Sequence, residues 1–229
     1  MLIAEDLLLL AYDDESGTET GALGLDYRLA GALLVELAMD GRVDVAGDAA
    51  QGMPQDPARA TVVVRDPSPT GHPALDAALA VVGERPRRAK DLVEPLSHGV
   101  RERLLQALAD RGVLRREERK VVAIFPVTRW PAEERAHEEV LRTRLVAVLV
   151  DGLTPDPRTA ALAALLKGSG LVARLVDKPD RKRAEERVEE LAASAWVADG
   201  VAAALAAQAA MSAALTAVFM ATTILPATS

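Results

Sequence analysis

The sequence predicts a mainly α-helical protein, and three observations lead there. Half of its 229 residues are hydrophobic, and Ala and Leu, both strong helix formers, dominate them. Apolar residues recur at helical spacing in several separate stretches, as at Leu29, Leu33, Leu37 and Ala38. Glycines then stop these stretches, as Gly41, Gly112, Gly152 and Gly168 do. A chain of this length buries a core in one large domain or two small ones.

Residues 2 to 12 read as a short helix, followed by the polar turn region "DDESGTETGALG". A second helix covers about 28 to 40. Past Gly41, Arg42 to Val45 alternate polar and apolar as a half-buried strand does, giving a strand at 42 to 46. The loop "GDAAQGMPQDP" separates it from a strand at 60 to 66, so the two make a loose hairpin. After "PSPTGHP", Leu75 to Val82 form a short helix with Pro73 near its first turn. The polar stretch "GERPRRAKDLVEP" leads into "SHGVRERLLQALADRGVL", a helix with Val100, Leu104, Leu105 and Leu108 on its apolar face. "VLRREERKVVAIFPV" reads as a β-hairpin, with Glu117 and Glu118 near its tip and an apolar second arm from Val121 to Phe125. "LLVELAMDGRV" at 33 to 43 superposes on "LLQALADRGVL" at 104 to 114, so a helix–Gly–hairpin device occurs twice, about seventy residues apart.

The C-terminal half is helical. Leu141, Leu145, Val148 and Leu149 share one face of a helix ending at Gly152. Asp156 is an N-cap with Pro157 at the first helical position, and "DKPDRKRAEERVEELAAS" is a charged, exposed helix. Val201 to Leu225 carries no charge and is long enough to cross a bilayer. It is built mainly from Ala, with Gln208 and Ser212 inside, and no Lys or Arg follows it. A buried core helix is the expectation.

Composition excludes several classes. With no cysteine there is no disulfide framework and no thiolate metal site, in keeping with a reducing, cytoplasmic location. The N-terminus has no basic region and its apolar run is broken by Glu5 and Asp6, unlike a secretory signal. A net charge of −7 opposes any global grip on nucleic acid or anionic lipid. Aromatics are 3% of residues, too few for base-stacking platforms.

No catalytic or cofactor motif stands out. His72, His98 and His137 share no ligand spacing, and "HEEV" at 137 to 140 is followed by Leu141 where a zinc helix needs His. Phosphate-binding, dinucleotide and nucleophile-elbow motifs are missing. Neither an enzyme nor a bound cofactor is expected. The basic residues say more. In "SHGVRERL", Arg101 and Arg103 sit in the first turn of a helix with His98 just before it, and helix N-termini attract anions. The same helix and hairpin could be a winged-helix DNA-binding unit. The acidic total and the lack of side chains suited to base edges count against nucleic acid.

Five segments resemble, in order, the Golgi phosphoprotein 3 family: "AEDLLLLAYDDESG", "LAGALLVELAMDGRV", "SPTGHPALDAAL", "VRERLLQALADRGVL" and "DPRTAALAALLKGSGLV". The Ala- and Arg-rich composition resembles that of bacterial, actinobacterial members. The resemblance implies a single domain over 1–229, with helix–hairpin units at about 28–66 and 99–125 and C-terminal helices over 138–225. It implies a central hydrophobic helix, amphipathic helices around it and projecting β-hairpins. It also implies a non-enzymatic peripheral membrane adaptor, since eukaryotic members bind phosphatidylinositol 4-phosphate through a basic pocket and hold glycosyltransferase tails. Carried over, the pocket falls on Arg101, followed by Arg103, and on His98. Ala30 and Gly21 stand where the family has an arginine and a tryptophan, and Arg28 is the nearest substitute. A weakened site with affinity for anionic headgroups is expected. The family's oligomerisation hairpin falls on about 113 to 125. Val113, Leu114, Arg115, Val121, Val122, Ile124 and Phe125 are its expected contact residues, and a homo-oligomer is the expected state.

Overall fold

The structure is a computed structural model and describes residues 1–46, 61–121, 125–193 and 215–216. Among these the chain is mainly helical, with nine α-helices and two small antiparallel sheets. The first two helices are α1 (Ile3–Ala11) and α2 (Leu25–Met39). Strands β1 (Val43–Ala46) and β2 (Thr61–Val64) follow, with Val43 opposite Val64 and Ala46 opposite Thr61. Next come α3 (Pro73–Gly83), the short strand β3 (Arg87–Arg88) on the other edge of β2, α4 (Ala89–Ser97) and α5 (Val100–Asp110). The second sheet is the hairpin β4 (Glu117–Val121) and β5 (Phe125–Arg129). Helices α6 (Ala136–Leu149), α7 (Pro157–Leu165), α8 (Val172–Leu175) and α9 (Arg181–Ala193) complete the described chain.

At the centre lies α2, which packs against α1, α3, α4, α5 and α7. It is buried nearly all round, from Leu25 and Leu29 to Leu37 and Ala38. Such a helix is stabilised by tertiary burial rather than by an amphipathic stripe. Two charges are buried within it. Arg28, 1% exposed, donates from Nε to the carbonyl of Leu23 at 2.8 Å and from Nη1 to that of Leu165 at 2.6 Å. Leu165 ends α7, so the guanidinium meets the negative end of that helix and one of its unpaired carbonyls. Glu36 accepts the backbone N–H of Ile3 at 2.7 Å and pairs with Arg158 of α7. Glu5, fully buried on α1, ties together α3 and α5 through His72 and Arg111. Nδ1 of His72 accepts the N–H of Ala74 and caps α3. Nε2 therefore carries the proton donated to Glu5.

The repeated helix–Gly device has one geometry in both places. Gly41 and Gly112 have φ of +66° and +73°. Arg42 N–H reaches back to Leu37 O at 2.8 Å, and Val113 N–H to Leu108 O at 3.0 Å. Gly41 and Gly112 donate to Ala38 O and Ala109 O, which completes the same left-handed C-cap. Each cap turns a helix into an antiparallel strand pair.

Three expectations need correction. The end of the polar stretch "GERPRRAKDLVEP" is helical: from Ala89 it belongs to α4, with Ala89, Leu92, Val93 and Leu96 buried and Pro95 in its last turn. The hairpin lies further along the chain than its hydrophobic pattern suggests. Glu117 and Glu118 are in β4 opposite Arg129 and Thr128, not at a tip. Leu114 makes only an isolated bridge to Ala132. α2 begins at Leu25, three residues before the expected start, behind Gly24 in a left-handed conformation. The segment Val201 to Leu225 lies outside the described residues except for Leu215 and Thr216, which are helical. Leu215 packs half-buried against the core. Among the described residues no helix is long and apolar enough to cross a membrane.

Replacing Arg28 with Met should lower unfolding free energy by about 2–4 kcal/mol, because the buried Leu165 carbonyl and the part-buried Leu23 carbonyl lose their donor. Urea titration with an unchanged m-value is the measurement. A loss below about 1 kcal/mol would put the guanidinium on a par with an exposed ion pair.

Candidate functional site

The expected anion site is the N-terminal turn of α5. Gly99, at φ +65°, turns the chain out of α4, and no side chain caps the first N–H groups of α5. Arg101 and Arg103 leave this turn in different directions. Arg103 is exposed and its Nη2 donates to the carbonyl of His98 at 2.8 Å. His98 itself is exposed.

Arg101 is already occupied. Its Nε and Nη2 form a fork on the carboxylate of Asp26, at 2.8 Å and 3.2 Å, and Nη1 donates to Glu19. Burial works against its charge. The neighbouring Asp26 and Glu19 carboxylates and the Tyr12 phenol outweigh that and push its pKa up. Burial raises the pKa of Tyr12. Asp26 stands on the first turn of α2. Glu19 is held by a closed loop: Tyr12 bridges to it, Asp13 N–H donates to Thr18 O at 2.9 Å and Thr20 N–H to Ala11 O at 2.9 Å.

Arg28 is not part of this surface. It lies within the core, aimed at two backbone carbonyls, and burial pushes its pKa down to about 10. Ala30 is fully buried on α2, so an arginine at that position would point into the core. Gly21 is exposed at φ +85° with open space beside it. The structure thus brings together Arg101, Arg103 and His98 along one turn and leaves Arg28 out. Sequence reading missed Asp26 and Glu19, although the acidic run "DDESGTE" beside the first helix was a signal of local negative charge.

The same loop reaches the root of the β4–β5 hairpin. Gly17, at φ +62°, lies so close to Trp130 and Pro131 that a Cβ would fall 2.4 Å from their backbone nitrogens. Trp130 N–H donates to Gly17 O at 2.9 Å and Ala132 N–H to Asp14 O at 3.0 Å. Beyond this root, β4 and β5 make their main contacts with each other. Of the expected contact residues, Leu114 is buried, Val113 is half-buried, and Arg115 pairs with Glu133 and Glu117. These three belong to the root. Val121 and Phe125 pair across the strands, and Val122 and Ile124 lie outside the described residues. Arg116 stacks over the Trp130 ring at 5.8 Å.

Helix α6 meets α1 and the loop after it through acids. His137 faces Asp6 at 2.7 Å. The buried Glu138 shares a hydrogen bond with Asp14 and pairs with Arg142. Burial and the Asp14 carboxyl push Glu138 up to about 7, against the pull of Arg142. Among the described residues no group of His, Asp and Glu could hold a metal ion.

A sequence model described as Golgi phosphoprotein 3 (GPP34) matches residues 3–208. The chain is 30% identical over 223 residues to Vacuolar protein sorting-associated protein 74 of Eremothecium gossypii, covering 83% of this chain and 67% of that protein. It is 26% identical over 234 residues to the protein of the same name in Schizosaccharomyces pombe, covering 87% and 68%.

Glu138 makes stability depend on pH. Its folded pKa stands above the ordinary value of 4.5, so the folded state holds the extra proton between the two values. Its contribution is complete below about 4.5 and lost as pH rises through about 7. Unfolding free energy should therefore fall between pH 5.5 and pH 8, by about 1–3 kcal/mol from this group. Glu138→Gln should flatten the profile in urea titrations. An unchanged slope would assign the dependence elsewhere.

Proposed function

The chain belongs to the Golgi phosphoprotein 3 family, and from that premise we propose that it is a non-enzymatic adaptor working at a membrane surface. It engages anionic headgroups weakly at the N-terminal turn of α5 and holds partner proteins elsewhere on its surface. The observation that carries this reading is the family match over residues 3–208, which includes the segment "VRER" at that turn. The relatives' names, which refer to vacuolar protein sorting, favour a role in traffic over one in catalysis.

The residues argue for a weak and unselective site. Arg103 is exposed and Arg101 is already paired with Asp26 and Glu19, with His98 beside them, and one unpaired charge near an anionic surface contributes about 1 kcal/mol. Ala30 and Gly21 supply none, and the core location of Arg28 removes the nearest substitute. Phosphatidylinositol 4-phosphate should gain little over other lipids of equal charge. A DNA-binding reading has less support, because the outer side of α5 mixes Glu102 and Asp110 with Arg103 and Gln106. Self-association through the hairpin is part of the proposal. Strands β4 and β5 pair chiefly with each other, and unpaired strand edges template further pairing.

Flotation with vesicles of phosphatidylcholine and phosphatidylserine should show weak binding that fades with added salt and with Arg103→Ala. Binding untouched by either change would remove α5 from the proposal. Sedimentation should find an oligomer that deletion of residues 116 to 121 weakens. A monomer at high micromolar concentration would exclude the hairpin.

A further inference from the structure

We infer that Glu19 and Asp26 act as an internal latch on Arg101 and set the affinity of the α5 site by occupying it. The inference rests on the membrane reading above and adds its control. Three elements build the latch: the closed loop 12–20 carries Glu19, the first turn of α2 carries Asp26, and α5 carries Arg101. Asp26 takes two parallel donors of the guanidinium and Glu19 takes a third. A planar fork engaged in this way has its strongest donor directions filled, and these are the directions a phosphate or carboxylate would need. Among the described residues neither carboxylate pairs with any other cation.

The arrangement is held, yet it is open to exchange. Glu19 is placed by a loop with its own backbone bonds, and that loop is packed against Trp130 through Gly17. Arg101 and Glu19 are nonetheless about one-third and one-quarter exposed, and Asp26 nearly one-half. An incoming anion can reach the guanidinium, and it must displace a carboxylate to bind. The cluster carries one positive and two negative charges, so with the latch closed it offers an anionic surface no net attraction. Arg103 is left as the outward cation of the turn, with the exposed His98 beside it.

A thermodynamic cycle tests the latch, using Glu19→Gln with Asp26→Asn, made both with Arg101 present and with Arg101→Ala. Removing two negative charges improves attraction to phosphatidylserine vesicles in either background. Freed Arg101 adds to that gain, so the improvement should be larger with Arg101 by about fivefold or more, the factor of one charge near such a surface. Equal gains in both backgrounds would overturn the latch, as would a loss of thermal stability without any gain in binding. Inorganic phosphate, followed through the Arg101 Nε–H resonance, separates the latch from the membrane reading. Phosphate binding by the unlatched protein, with no variant binding vesicles, would keep the latch and reject the membrane. An unlatched protein that binds neither probe would reject the latch.

Discussion

A helix buried nearly all round leaves the two charges in its interior no route to water, and this constraint organises the fold. Arg28 and Glu36 sit about two turns apart on α2. Each is nearly free of solvent, so each must be satisfied by chain from elsewhere. Arg28 draws in the C-terminal end of α7 and the carbonyl of Leu23. Glu36 draws in the N-terminus of α1 and Arg158 at the start of α7. Both ends of α7 are thereby fixed against α2, and α1 is fixed beside it. Glu5 repeats the principle one layer out, binding α1 to α3 and α5.

The surface follows from the same placement. Once α1 is seated, the loop after it must turn back at Tyr12, and its acids face the start of α5 and the root of the hairpin. Arg101 is met there by Glu19 and Asp26, and Glu138 by Asp14. In a chain of net charge −7, many cations are met by a carboxylate, as Arg42, Arg111, Arg142 and Arg158 are. A count of arginines along one turn therefore overstates the positive field that the turn presents.

Much of the architecture could be read from residue order because its signals are local. Asp156 with Pro157 marks the start of α7, and Gly41 and Gly112 mark the ends of α2 and α5, by geometry confined to a few residues. The misreadings have local causes too. Pro95 and a charged preface hid α4, whose apolar spacing spans only eight residues, Ala89 to Leu96. In the hairpin, Glu117 and Glu118 suggested a tip because charged residues are common in turns, yet they stand in β4 opposite Arg129 and Thr128. The partners of Arg101 and the interior position of Arg28 were not legible. They depend on residues 75 and 137 positions away, and no periodicity carries that information.

The long reach of Arg28 has a consequence for the order of assembly. Its second acceptor, Leu165 O, is supplied 137 residues later. Leu23 N–H likewise waits for Ser169 O, and Glu36 for Arg158. An N-terminal half emerging first from a ribosome can form α1, α2 and the left-handed cap at Gly41, since those bonds are local. It cannot bury α2 fully while a guanidinium there lacks an acceptor. The native arrangement around both charges is therefore complete only once α7 has been made. Contacts of such sequence separation slow folding, because loop closure precedes the gain that compensates it. Before α7 has been made the apolar faces of α1 and α2 stand open, and the nascent chain is most prone to aggregate then.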